Sequence, residues 1–382
     1  MSNVLLAEMT PNPTLGIIIF TLGGLAGAVF YLPFKKVKNW AWESYWLVYA
    51  LFALLIVPWA LALVQSPNVL SVLKVSPTNV LAYCFICGVG WGIGGLTWGL
   101  MIRYLGVGLG LAVGCGLCSA AGTLIPPILA GNLGSLYGTP AANMSLVGVA
   151  VSIVGIVLVG MAGMSKEGEL SEEQKKKAVA EFDFKKGITV AIFSGLMSSA
   201  MSIGLQGGSK IEELALTTAP VTSVAWKGMP VLVVVLLGGF MVNFLWCLFL
   251  NFKNKTTGDY TKPNTPLLGN IVFSGIAGAI WCSQFICFKT GEPQMGDRGY
   301  IGWAVLMASA ILFSSLLGVL LGEWKGTSSK TRGLLATGLA VLVLSSVIAG
   351  YSGKLKKTDI TSPAIPTEIQ QAVPAVPQIP AQ

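Results

Sequence analysis

Apolar residues fall in ten runs along the chain, with the polar and charged positions collected between them. The runs are Leu15–Phe34, Tyr45–Leu63, Val80–Met101, Leu109–Leu129 and Leu146–Met164, then Ile188–Leu205, Met229–Leu250, Leu267–Cys287, Ile301–Leu321 and Leu334–Tyr351. None contains Asp, Glu, Lys or Arg. About 20 apolar residues at helical rise match a hydrocarbon core of roughly 30 Å, where a central charge costs on the order of 3 kcal/mol. Backbone N–H and C=O groups find no water there, so each run is predicted to be a helix. The expected fold class is an all-α polytopic membrane protein with ten transmembrane helices.

The longest polar connection, 165–187, leaves five predicted helices on either side. A second copy of an odd-numbered unit must enter the membrane from the opposite face, which is the inverted five-plus-five repeat of many secondary transporters. A weak echo supports it: Leu146-Val147-Gly148-Val149-Ala150 at the entry to helix five resembles Gly333-Leu334-Leu335-Ala336-Thr337 at the entry to helix ten. The expected organisation is a first repeat over 1–164, a charged cytoplasmic linker over 165–187, a second repeat over 188–351 and a disordered, Pro-rich tail over 352–382. Within the linker, Ser171-Glu172-Glu173-Gln174 has the form of a capping box opening a short surface helix.

Composition agrees with this reading, because 54% hydrophobic and 10% charged residues leave too few charges to coat a soluble globule of 382 residues. The net charge of +8 needs no nucleic acid to explain it. Of 24 Lys and Arg, 16 follow odd-numbered helices and 8 lie in the termini and remaining loops, so the positive-inside rule predicts that both termini face the periplasm. Met1–Pro13 lacks the basic region of a cleavable signal, and the first helix is expected to be retained.

Two motifs familiar from soluble proteins change nothing. Gly90-Trp91-Gly92-Ile93-Gly94-Gly95 fits a dinucleotide-binding pattern but lies inside a predicted span with no strand before it. Cys84/Cys87 and Cys115/Cys118 form two CxxC pairs, yet both lie in apolar helices without a nearby His or carboxylate, so small buried thiols are expected and no metal or other cofactor is. GxxxG pairs such as Gly23/Gly27 and Gly88/Gly92 predict close helix contacts. Pro33, Pro126 and Pro127 predict kinks in helices one and four.

With no charge in the spans, recognition falls to neutral polar and aromatic side chains, and a neutral ligand follows. Trp281 and Gln284 share a helical face, and Trp91 and Trp98 share another; Asn243, Asn270 and Gln206 add amides. A ring beside an amide suits a sugar, whose C–H face stacks while adjacent hydroxyls take paired hydrogen bonds. The substrate-binding candidates are therefore Trp91, Trp98, Gln206, Asn243, Trp281 and Gln284. An intramembrane enzyme would need paired in-span carboxylates, a metal cluster or a Ser–His arrangement, and none is present.

One long stretch carries a resemblance. Phe30-Tyr31-Leu32-Pro33-Phe34-Lys35-Lys36-Val37-Lys38-Asn39-Trp40-Ala41-Trp42-Glu43 is similar to the FYxPFKKVKxWxWE stretch of the L-rhamnose–proton symporters of the drug/metabolite transporter superfamily. Trp91-Gly92-Ile93-Gly94, Arg103-Tyr104-Leu105-Gly106 and Glu323-Trp324 add to it. Gly95, Thr97 and Trp98 depart from the family pattern of Asn and Tyr, which bears on the sugar accepted. The resemblance implies ten helices in the inner membrane and uptake of a deoxy-sugar coupled to protons; the same architecture would also serve an exporter or exchanger of another small neutral metabolite. Proton coupling needs a titrating group, and with no His in the chain and no carboxylate in a span it is expected at a helix edge: Glu323 first, then Asp297 and Glu43.

Overall fold

Asn12 and Pro13 open the first helix. The Asn12 side chain accepts from Leu15 N–H, and Pro13 fills a first-turn position that needs no donor, so α1 runs Pro13–Val29. The computed structural model describes residues 10–131, 137–169, 184–263, 265–320, 322, 324–352 and 355. Pro33 falls in a 3-10 turn, Leu32–Lys36, after α1 has ended. It therefore terminates the helix instead of kinking it, because a residue without an N–H is tolerated in the opening turn of a new element.

Next, α2 (Trp42–Gln65) contains a π-turn at Phe52–Ile56, which ends two positions before Pro58, whose missing N–H breaks the regular ladder. A short α3 (Val69–Val75) leads into α4, Thr78–Leu129. Two helices separated by a loop around Arg103 were expected here, but the backbone stays helical throughout. A Cβ placed on Gly114 would lie 2.7 Å from Met101 Sδ and 3.3 Å from Trp98 Cη2. Those residues precede it by 13 and 16 positions, or roughly 20–24 Å along a straight helix, so α4 doubles back. Its arms are Thr78–Trp98 and the shorter Val113–Leu129, with Pro126 and Pro127 in the last turn.

The remaining helices are α5 (Pro140–Gly168), α6 (Phe184–Gly207), α7 (Ser209–Thr217), α8 (Met229–Lys253), α9 (Leu267–Gly291), α10 (Ile301–Leu320) and α11 (Ser329–Ser352). Among the described residues there is no strand, and nine helices are long and apolar enough to cross a membrane. Their ends reach past the apolar runs: α5 continues through Lys166 and α9 through Lys289. The capping box at Ser171–Gln174, most of the linker and nearly all of the tail lie outside the described residues.

Helix α1 packs on α9 and α10, α6 on α4, α5 on α11, and α8 on α4 and α2. Small residues set these distances. Where α4 crosses α8, a Cβ on Gly88 would fall 1.9 Å from the Val235 carbonyl and one on Gly238 2.1 Å from that of Phe85, so only glycine permits the crossing. The largest buried cluster runs through the middle of the bundle, from Phe20 and Tyr49 through Trp281, Phe285 and Phe288 to Trp303.

Candidate functional site

Helix α9 supplies one inward face in which Trp281, Gln284, Phe285, Phe288 and Lys289 are all buried, at the i, i+3, i+4, i+7, i+8 spacing of a single stripe. The Trp281 ring lies 5.2 Å from that of Trp91 on α4, 4.6 Å from Phe285 and 6.2 Å from Tyr49 on α2. Gln284 is 6% exposed, and its amide has no hydrogen-bond partner among the described residues. Its Oε1 faces α1, where a Cβ on Gly27 would come within 1.9 Å. An amide on a largely buried residue that is left without a partner beside a cluster of rings can bind a hydroxyl-bearing ligand.

The other amides named from the sequence have hydrogen-bond partners within the bundle. Asn243 accepts from Trp46 Nε1 at 3.0 Å and donates to the Gly239 carbonyl at 2.9 Å, so it fixes an indole of the aromatic cluster. Trp98 donates to Ser198 Oγ at 2.7 Å and packs with Met101 and Ala191, in a cluster separate from Trp281. Seven residues of helix carry it roughly 10 Å beyond Trp91 along α4. Gln206, on α6, donates to Ser202 Oγ at 2.7 Å and lines a cavity at the end of α9. Asn270 brackets Lys38, accepting from its N–H and donating to its carbonyl at 3.0 and 2.8 Å.

That Asn270 clamp is part of a closure at the N-terminal end of α9. Trp40 Nε1 donates to the Asp259 carbonyl at 2.8 Å, and the Asp259 carboxylate accepts from Ala41 N–H and Ser44 Oγ, both at 2.8 Å. Burial pushes the Asp259 pKa up, but these hydrogen bonds, with Lys262 at 3.5 Å, outweigh it and hold the carboxyl below its ordinary value. Glu43 Oε1 accepts from Asn254 and Thr256 at 3.0 and 2.9 Å. Lys38, Trp40, Ala41 and Glu43 thus bind the turn between α1 and α2 to the turn between α8 and α9.

The opposite end of α9 holds charges. Lys289 is 3% exposed, and its ammonium donates to Glu212 Oε1 at 2.5 Å, to the Leu205 carbonyl at 3.1 Å and to Glu292. Glu212, on α7, also pairs with Lys227 at 2.9 Å. These four residues and Gln206 line a cavity of about 330 Å³ that Tyr300 and Gly299 also border. Burying such ions is costly unless they are paired, and here each has an opposite charge in contact. Phe285, Phe288 and Trp303 fill the space between Trp281 and this cavity, with ring separations of 4.6, 6.3 and 5.5 Å along the series.

None of Glu212, Lys227, Lys289 or Glu292 was expected. Lys289 lies two residues past the apolar run that ends at Cys287, and its main partner is 77 positions earlier; the local signal was its register with Trp281 and the i,i+3 pair with Glu292. Of the carboxylates that were expected, Glu43 is tied into the Trp40–Asp259 closure, Asp297 lies in the 3-10 segment Glu292–Arg298 that leaves the cavity, and Glu323 is outside the described residues. Among the described residues, no three His, Cys, Asp or Glu side chains are grouped to hold a metal.

A family model described as L-rhamnose-proton symport protein matches residues 9–354. The L-rhamnose-proton symporter of Yersinia pestis is 33% identical over 342 residues, covering 88% of this chain and 97% of that one. That of Cronobacter sakazakii is 31% identical over 341 residues, with the same coverage.

Proposed function

Because the chain belongs to the L-rhamnose-proton symport protein family, we propose that it takes up L-rhamnose or a similar deoxy-sugar together with a proton, by alternating access. The observation that carries the reading is the amide of the largely buried Gln284, without a hydrogen-bond partner among the described residues, one turn from Trp281 on α9. From Asn270 to Lys289 the helix rises roughly 28 Å, about the thickness of a hydrocarbon core, and Trp281 stands near its middle. A sugar held there by Trp91, Trp281 and Gln284 has the Trp40–Asp259 closure on one side and the charged cavity on the other. Asn243 positions Trp46 beside it, Gln206 lies on the route through the cavity, and Trp98 acts on the neighbouring packing.

The full architecture is proposed as ten helices in two inverted repeats, counting the arms of α4 separately. The packing pattern supports it. If each helix of the first half corresponds to the one five places later, then α1 with α9 and α10 corresponds to α6 with the two arms of α4. The pair α5 with α11 maps onto itself, as does α2 with α8. In this scheme both termini and the Lys289 cavity face the periplasm of an inner membrane, while Asp259 and Trp40 face the cytoplasm, as the distribution of Lys and Arg suggests. No observation favours an exporter or exchanger of another metabolite.

Counterflow in proteoliposomes tests the substrate. Labelled L-rhamnose should be concentrated by preloaded L-rhamnose and by sugars that differ from it at one hydroxyl, and much less by D-glucose. Counterflow with an unrelated metabolite and none with any deoxy-sugar would remove the reading.

A further inference from the structure

The geometry points to Glu292 as the group that carries the coupled proton, with Lys289 and Glu212 as its switching partners. This rests on the symport reading above. Two carboxylates share one buried ammonium, but unequally: Glu212 also accepts from Lys227, whereas among the described residues Glu292 has Lys289 alone as its ion-pair partner. Lys289 is saturated by Glu212, Glu292 and the Leu205 carbonyl. A proton arriving through the cavity therefore adds where a single ion pair must be given up. Its addition to a Glu292 carboxylate oxygen breaks the contact with Lys289, and the ammonium keeps Glu212 and the carbonyl.

Among the described residues, the charged and titratable groups around this point are few. Lys289 approaches from α9, Glu212 from α7, Lys227 from the segment ahead of α8, and the Cys84 thiol of α4 lies within electrostatic reach of Lys289 and Glu212. Tyr300 borders the cavity from the start of α10. With Lys227, Glu212 and Lys289 ionised, the four-residue cluster is neutral when Glu292 is charged and carries one positive charge when it is protonated. Loading a proton thus changes the charge of a largely buried cluster, which is the property a coupling site needs.

The connection to sugar is mechanical and short. Glu292 follows the last residue of α9 and opens the 3-10 segment that joins it to α10, and a Cβ on Gly299 would touch Glu292 Cβ at 3.4 Å. The same helix α9 carries Trp281 and Gln284 on the face that holds Lys289. Breaking or making the Glu292–Lys289 pair acts on the junction of α9 with α10, while the sugar acts two turns earlier on α9. A proton and a sugar that bias the same rigid element are coupled without touching each other. Glu43 lies at the other end of the bundle, in the Trp40–Asp259 closure.

Reconstituted wild type, Glu292→Gln and Glu292→Asp should be compared for L-rhamnose accumulation under an imposed inward proton gradient and for counterflow without one. Glu292→Gln is expected to lose accumulation at least tenfold and to keep counterflow within about threefold of wild type, with sugar-induced proton uptake abolished. Glu292→Asp is expected to keep accumulation with a displaced pH profile. Accumulation by Glu292→Gln at the wild-type level, or loss of counterflow together with accumulation in a folded protein, would overturn the assignment. Should Glu292→Gln fail to fold, an unchanged pH profile in Glu292→Asp would overturn it equally. Failure of wild type itself to respond to the proton gradient, with counterflow intact, would instead remove the symport reading.

Discussion

Replacing Gly27 with Ala introduces a methyl group whose nearest neighbour is the Gln284 Oε1, at 1.9 Å; the Gln284 Cδ is 3.0 Å away and Ala310 Cβ 3.7 Å. The clash is therefore with the end of one flexible side chain. The amide must swing aside, while the α1 to α10 contact stays at ordinary van der Waals distance. If that amide holds a sugar hydroxyl, the displacement forfeits one or two hydrogen bonds in a dry site, about 1–2 kcal/mol, or roughly a five- to thirtyfold weaker Kd. Gly24 provides the contrast on the same helix. A Cβ there meets Ser309 Cβ at 2.4 Å and the Ala310 backbone nitrogen at 2.8 Å, so Gly24→Ala should force the helices apart and cost about 1–3 kcal/mol of stability. Calorimetric titration with L-rhamnose and thermal melting of both purified variants separate the two effects. Gly27→Ala with a wild-type Kd, together with Gln284→Ala with a wild-type Kd, would refute the role given to this amide.

Trp281→Ala should weaken L-rhamnose binding by about 1–3 kcal/mol in a competition assay, because it removes a stacking surface at mid-depth; unchanged affinity would relegate the ring to packing. Asp259 is held below its ordinary pKa, so its contribution to stability is complete above the unfolded value near about 4 and is lost as pH falls through the lower folded value. The stability gap between wild type and Asp259→Asn should accordingly close on acidification from about pH 6 to 3, as read by thermal melting; a gap that widens would contradict the sign. Reporters fused after Lys177 and after Lys357 should be cytoplasmic and periplasmic respectively, and finding both on one side would remove the ten-helix topology.

The sequence carried the parts of this molecule that depend on local pattern. Apolar length located helices such as α1, α8 and α10, and the spacing of Trp281 and Gln284 identified a face that the fold does turn inward. What failed depended on partners remote in the chain. A hydropathy window stops at the first charge, but α9 remains helical and buried past Lys289 because Glu212 and Glu292 neutralise it. Arg103 suggested a loop where the helix persists through the reversal of α4. The Phe30–Glu43 stretch is legible as a signature, but its task, gripping Asp259, Asn254, Thr256 and Asn270 more than 200 positions away, appears only when the two halves are folded together.

The central claim is that sugar and proton cross together, and uptake into proteoliposomes holding only the purified wild-type chain tests it most directly. An inward proton gradient should raise internal L-rhamnose above the external concentration, and a protonophore should return it to equilibrium. Entry that equilibrates at the same rate and level with or without the gradient would contradict the account.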